Sequence, residues 1–396
     1  MINLVMNKNG CINYNYTKNN SEILRLLIVN SLIEQGFKLD KDSNILITKD
    51  ISKDEARALH KSYRRDKLLK EKLFLKNNLY KLEGFFANGK DIDPLNFQPS
   101  IIPVEGDTEY SRLFRLATLI WSVPVSQGFG RRVRFLVIDE HNSKLVGIFA
   151  LGDPVFNLKI RDQWIGWDHN QRASKLYNVM DLFILGAVPP YSNLLCGKLV
   201  AMIAVSDIVQ KYIYYRYQGR VTTIKGEQKN PQLGLITTTS ALGRSSIYNR
   251  IKFHEKLIFL KIGQTQGWGH FHLGNGTFEL MRRFLKENKN PVEKRNRFGQ
   301  GPNWKMRAAR TCLSLLGLSP NLLRHGIKRD FYAIPLANNF REYLLGQSEE
   351  LDLLDFNSTD LVQYFKNRWF FPRIERFPDF IKIKANETLK DFYELI

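Results

Sequence analysis

The sequence predicts an α+β protein: a mixed β-sheet flanked by helices, preceded by a helical N-terminal unit and followed by a basic, mainly helical C-terminal extension. Three observations predict it. Short apolar runs bounded by turn residues recur at 131–139, 144–151, 180–188, 233–239 and 257–263 and read as strands. Segments with helical spacing lie before, between and after them, in an order that fits a mixed sheet rather than strict β-α alternation. The chain has 396 residues, 43% hydrophobic and 12% aromatic, so it carries the apolar material for sizeable cores and exceeds one typical domain of roughly 100–150 residues.

Taken in order, Ser21 can cap a helix that runs through Glu34 on Ile23, Leu24, Leu26, Leu27 and Leu32 and stops at Gly36. A short strand is expected at 45–48. Ser52, with Asp54 and Glu55 behind it, starts a second helix expected to reach about Lys76. That helix becomes basic at His60, Lys61, Arg64, Arg65, Lys67, Lys70, Lys72 and Lys76, either as a solvated face or as a phosphate-contacting arm. Gly84, Gly89, Pro94, Pro99 and Pro103 mark 85–105 as a linker. Beyond it, 110–121 reads as helix, and Glu140-His141-Asn142-Ser143 turns a hairpin. Pro189-Pro190 ends the strand at 180–188, and a long helix is expected over 195–215. From Gly276 onward the character changes to basic helices at 278–286 and 304–316 and an aromatic tail with Trp369, Phe370, Phe371 and Pro372. The expected division is therefore 1–100, 105–275 and 276–396.

Charge is the first functional signal. With 59 Lys+Arg against 39 Asp+Glu, the formal net charge is +20, which calls for a polyanionic partner, DNA foremost. Cys11, Cys196 and Cys312 stand far apart with no CxxC pair, which argues against a disulfide framework or a zinc ribbon and suits a reducing, cytoplasmic setting. The N-terminus has no signal-peptide pattern. The apolar stretch at 200–213 is cut by Ser206, Asp207, Gln210 and Lys211, too short and too polar for a bilayer, so no membrane association is expected.

Several constellations are candidates for chemistry. At Thr237-Thr238-Thr239-Ser240, followed by Gly243 and Arg244, a strand empties into a hydroxyl-rich loop. Ser245 can cap the short helical turn that follows, with Ser246, Tyr248 and Arg250 beside it and Arg244 and Arg250 as guanidinium forks for phosphate. The bland reading is a turn that satisfies its own backbone. Lys198 sits near a helix start and can meet a phosphate, but Leu199 follows it where a Walker loop needs Ser or Thr, so ATP hydrolysis has no support. Asp153, Asp162 and Asp168, with Asp181 later, could hold Mg²⁺ for phosphodiester cleavage, or could cap turns and pair with Arg161 and Arg172. His270 and His272 are spaced i and i+2 without further zinc ligands nearby, which leaves hydrogen bonding or proton transfer. The richest nucleic-acid signal is the run Arg282, Arg283, Lys294, Arg295, Arg297, Lys305, Arg307, Lys328 and Arg329, interleaved with Phe298 and Trp304.

Together, Arg134-Phe135-Leu136-Val137, Leu145-Val146-Gly147-Ile148, Gly152-Asp153-Pro154, Arg161-Asp162 with Ile165-Gly166-Trp167, Gly186-Ala187-Val188-Pro189-Pro190-Tyr191, Thr238 through Ser246 and Gly267-Trp268-Gly269 resemble the DruA family of bacterial Druantia anti-phage defence systems. The resemblance covers roughly 20–340. It implies a defence role beside a helicase and other defence-system proteins, and it implies no settled activity. The order of the central elements also resembles acetyltransferase-like (GNAT) proteins, although Ser192-Asn193-Leu194-Leu195-Cys196-Gly197 departs from that family's pyrophosphate loop. The leading expectation is a DNA-binding component that senses or processes invading DNA. The alternatives are a nuclease or strand-transfer enzyme of a mobile element, and an acyltransferase-like enzyme.

Overall fold

A computed structural model describes residues 5–6, 12–13, 20–42, 44–46, 51–125, 128, 130–221, 226–274, 276–294 and 304–396. The chain divides into two compact units, one formed by Met1–Asp66 with Gln266–Ile327, the other by Lys67–Thr265 with Lys328–Ile396. Each is built from two separate stretches of sequence.

In chain order, the pair β1 (Val5–Met6) and β2 (Ile12–Asn13) precedes helices α1 (Asn20–Glu34), α2 (Lys53–Lys70) and α3 (Lys72–Leu82). The capping reading at Ser52 is borne out: its hydroxyl accepts from the Glu55 amide at 3.2 Å, and the Glu55 carboxylate accepts from the Ser52 amide at 2.6 Å. The single helix expected to Lys76 is two, broken at Glu71. The strand expected at 45–48 appears only as an isolated bridge from Ile45 to Leu39, and 47–48 lie outside the described residues.

β3 (Pro99–Pro103) falls inside the stretch that reads as a linker. It is an edge strand paired with one neighbour, the position where proline's missing N–H costs least. After α4 (Glu109–Ala117) come the hairpin β4 (Arg132–Asp139) and β5 (Lys144–Gly152), the short helices α5 (Lys159–Ile165) and α6 (His169–Lys175), and β6 (Val179–Ala187). The long helix expected over 195–215 is instead α7 (Cys196–Ile203) and α8 (Asp207–Tyr217). Ser206 takes extended backbone between them, and its Ser-Asp pair is itself a helix-start signal. Then follow β7 (Leu235–Thr239), the two-residue hairpin β8 (Lys252–Phe253) and β9 (Lys256–Leu257), β10 (Leu260–Gln264), α9 (Thr277–Glu287), α10 (Trp304–Leu315), β11 (Asp330–Pro335), α11 (Phe340–Leu344), α12 (Ser358–Phe365), α13 (Phe371–Arg376) and α14 (Ala385–Tyr393).

The seven-stranded sheet runs β10-β11-β7-β6-β5-β4-β3 and is antiparallel except for β6 beside β7. It confirms the expected mixed sheet flanked by helices. One face packs α7 and α8 over Phe135, Phe149, Met180 and Ile236, with Phe365 and Phe370 sealing the same core. The other packs Leu136, Ile148 and Ile184 against α3 and α4. The smaller unit has its own core, in which Leu24 and Ile28 of α1 meet Met281 and Leu285 of α9 and Cys312 and Leu313 of α10. Among the described residues no helix is long and apolar enough to cross a membrane.

Candidate anion-binding cleft

The loop after β6 is held from below. The buried Tyr191 hydroxyl donates to Asp139 Oδ2 at 2.8 Å, and the chain turns through Leu195, a non-glycine residue in the left-handed region at φ 64°, into α7. The first turn of α7 therefore presents Gly197 and Lys198 on one side. Opposite, Ser245 Oγ accepts from the amides of Ile247 at 3.2 Å and Tyr248 at 3.1 Å and so fixes the turn Tyr248–Arg250. Tyr248 lies buried, stacked on Phe259 at 4.7 Å and edge-on to Tyr332 at 5.1 Å, which anchors the turn and leaves Ser246 and Arg250 exposed. The β8–β9 hairpin and the C-terminal residues Tyr364, Arg368, Trp369 and Arg376 complete the walls of a cleft of about 870 Å³.

Lys198 is the buried member of this cleft. Its residue is 6% exposed and Nζ has no hydrogen-bond partner among the described residues; it lies over the face of Trp369, 5.1 Å from the ring centre. Burial, then the cations Arg250 and Arg368, push its ammonium down to about 8. Among the described residues the cleft is lined by five bases, Lys198, Arg250, Lys252, Arg368 and Arg376, against one acid, Glu255, which sits 3.7 Å from Lys252. An excess of positive charge in a cleft draws anions toward it.

Sequence reasoning thus named Lys198, Ser246 and Arg250, and the structure brings these three together. It missed Lys252, Tyr364, Arg368, Trp369 and Arg376. The adjacent Arg368-Trp369, a cation beside an aromatic ring, was the available signal. Arg244 is exposed at the loop tip, where Gly243 accepts from the Asp330 amide at 3.1 Å, and Lys328 is exposed.

The candidate acids have internal partners. Asp153 accepts from Arg131 Nε at 2.7 Å and from the Arg131 amide at 2.8 Å. Asp162 is a hub, accepting from Arg161 at 2.7 Å, Trp167 Nε1 at 3.0 Å, Arg172 at 3.2 Å and the Leu158 amide at 3.0 Å. Asp168 caps α6 through the Gln171 amide. Among the described residues no three of His, Cys, Asp and Glu assemble as metal ligands. A separate polar focus lies where β6 meets β7: Asp181 accepts from Thr237 Oγ1 at 3.0 Å, and burial raises its carboxyl to about 6 against the lowering effects of Thr237, Arg161 and Arg329. Arg329 is part of this focus, and its Nε is buried without a hydrogen-bond partner among the described residues.

The smaller unit carries the remaining predicted residues. α9 buries Phe278, Met281, Phe284 and Leu285 and turns Arg282 and Arg283 to solvent, with Lys294 and Lys305 also exposed and Arg307 half-buried. The Arg282 guanidinium lies 5.8 Å from the Trp304 ring centre. Arg295 and Arg297 lie outside the described residues. Burial and then Lys305 push the His270 imidazole down to about 4, and His272 is fully buried with Nε2 2.7 Å from the Leu322 carbonyl.

Fold and cleft together define a class: an α+β protein on a seven-stranded sheet, carrying a cationic cleft. The model of the DruA family, Druantia protein DruA, matches residues 50–346. Druantia protein DruA of Escherichia coli (strain UMEA 4076-1) is 42% identical over 352 residues, which is 89% of this chain and 87% of that protein. The chain belongs to the DruA family, and so to the proteins of Druantia anti-phage defence, which implies further proteins of the same system as partners. No solved structure matches the chain.

Proposed function

We propose that this chain is the nucleic-acid-binding component of its defence system, sensing or processing invading DNA beside a helicase. The single observation that carries the reading is the cleft that gathers Lys198, Ser246 and Arg250 with Arg368 and Trp369. A buried ammonium without a hydrogen-bond partner is costly to a fold, and a bound anion would supply that partner. Phosphate supplies the charge, and Trp369 and Tyr364 supply ring faces on which a base can stack. The exposed arginines and lysines of α9 and α10 add a second positively charged surface, and the net charge of +20 favours association with any polyanion. The reading assigns binding rather than hydrolysis, because Asp153, Asp162 and Asp168 are each engaged by neighbouring groups. Retention of DNA in a mobility-shift titration, compared with an equally basic control protein at matched salt, tests it: retention no better than the control's overturns it.

A further inference from the structure

Charge density and volume specify the cleft's ligand more closely than "nucleic acid" does. Of its five cations, Lys252 is offset by Glu255 at 3.7 Å, which leaves Lys198, Arg250, Arg368 and Arg376 facing a space of about 870 Å³. That volume falls within the range of roughly 300–1,000 Å³ usual for small-molecule sites. A strand passing through brings one negative charge per phosphodiester. A phosphate monoester brings about −1.5 to −2 at neutral pH on a single phosphorus, with three acceptor oxygens. Four cations in so small a space match the concentrated charge better than the dispersed one.

The start of α7 points the same way. Leu195, Gly197 and Lys198 all line the cleft, so the positive end of an eight-residue helix opens onto it. The second and independent observation is Lys198 itself, more than nine-tenths buried at that helix start with Nζ unpartnered. Next to these cations stand Trp369 and Tyr364, edge-to-face at 5.6 Å between ring centres. Charged floor and aromatic wall side by side are what a nucleotide presents in complement: phosphate at one end, a flat base at the other.

We infer that the Lys198 cleft takes a phosphate monoester carried by a nucleotide, its phosphate on Lys198, Arg250 and Arg368 and its base against the Trp369 and Tyr364 wall. This rests on the nucleic-acid reading and says which part of the polymer, or which free fragment of it, the cleft grips. The two sources are the phosphorylated end of a strand and a free nucleotide.

The test uses the full chain and equilibrium binding of a single-stranded oligonucleotide with either a 5′-phosphate or a 5′-hydroxyl, together with AMP, ADP and adenosine. The expected result is a preference of roughly ten- to a hundredfold for the phosphate-bearing ligand over its unphosphorylated counterpart, as one charge-assisted contact provides. Lys198→Met should abolish that preference, so that the phosphorylated and hydroxyl-ended strands bind alike, and Arg368→Gln, on an exposed residue, gives the same readout should the first variant fold poorly. Preference for the phosphorylated strand identifies an end-binding site, and tight AMP or ADP identifies a nucleotide site. Equal binding of phosphorylated and unphosphorylated ligands overturns the inference and leaves the nucleic-acid reading standing. Failure of every oligonucleotide to bind sinks that earlier reading instead.

Discussion

The ammonium of Lys198 lies 5.1 Å from the centre of the Trp369 ring and donates no hydrogen bond to any of the described residues. A cation–π contact offsets part of the cost of burying a charge, on the order of 0.5–2 kcal/mol, and leaves the remainder unpaid. The buried charge that suits this site to an anion works against the stability of the fold.

That opposition is measurable in Lys198→Met, which keeps the stem and removes the charge. Because the folded-state value is lowered to about 8 from the ordinary 10.5, the folded chain holds its proton less tightly than the unfolded chain. Stability contributed by this group therefore rises as pH climbs from about 8 toward 10.5, and below 8 the charged side chain costs on the order of 1–3 kcal/mol. Lys198→Met should raise the urea midpoint at pH 7 and flatten the pH dependence above 8. A lower midpoint would mean that the ammonium has a stabilising partner.

Asp162 is predicted to be a structural residue. Arg161 is fully buried and depends on Asp162 at 2.7 Å together with the carbonyls of Val155 and Phe156, so removing the carboxylate strands a buried guanidinium. Asp162→Ala should cost about 3–5 kcal/mol in denaturant unfolding. Unchanged stability would contradict that structural role.

The fold class and most strands were legible because the sheet's centre is written in continuous apolar runs: 144–151 contains Leu145, Val146, Ile148, Phe149, Ala150 and Leu151, all buried in β5. The Ser52 cap was legible because its partner is three residues away. What escaped was set by distance along the chain. Trp369 stands more than a hundred residues beyond Arg250, and it reaches Lys198 because α12 packs on α7 and buries Phe365 and Phe370 in the same core. No local periodicity encodes that juxtaposition. The pairing of α1 with α9 is hidden for the same reason. Loops gave a mixed result: Pro99 and Pro103 carry turn signals, yet between them Ser100, Ile101 and Ile102 supply the backbone pairing an edge strand needs.

His272 predicts acid sensitivity of the smaller unit. Burial is the main reason its imidazole falls to about 4, below the ordinary 6.5, with the Leu322 carbonyl opposing it. The unfolded chain binds the proton first, so the stability tied to neutral His272 is fully present above 6.5 and is lost as pH falls toward 4, by about 3 kcal/mol. Amide hydrogen exchange in α9 and α10 should accelerate over that interval once intrinsic rates are corrected. Protection that stays constant from pH 6.5 to 4 would contradict the assignment.

The salt dependence of DNA binding tests the central claim most directly. The affinity of the full chain should fall linearly in log K against log salt, with a slope of about −0.7 to −0.9 per phosphate contacted. In the triple variant Lys198→Met, Arg250→Gln, Arg368→Gln the slope should become shallower by roughly two to three contacts. Identical slopes for the two proteins, or no salt-dependent binding by either, would contradict the account.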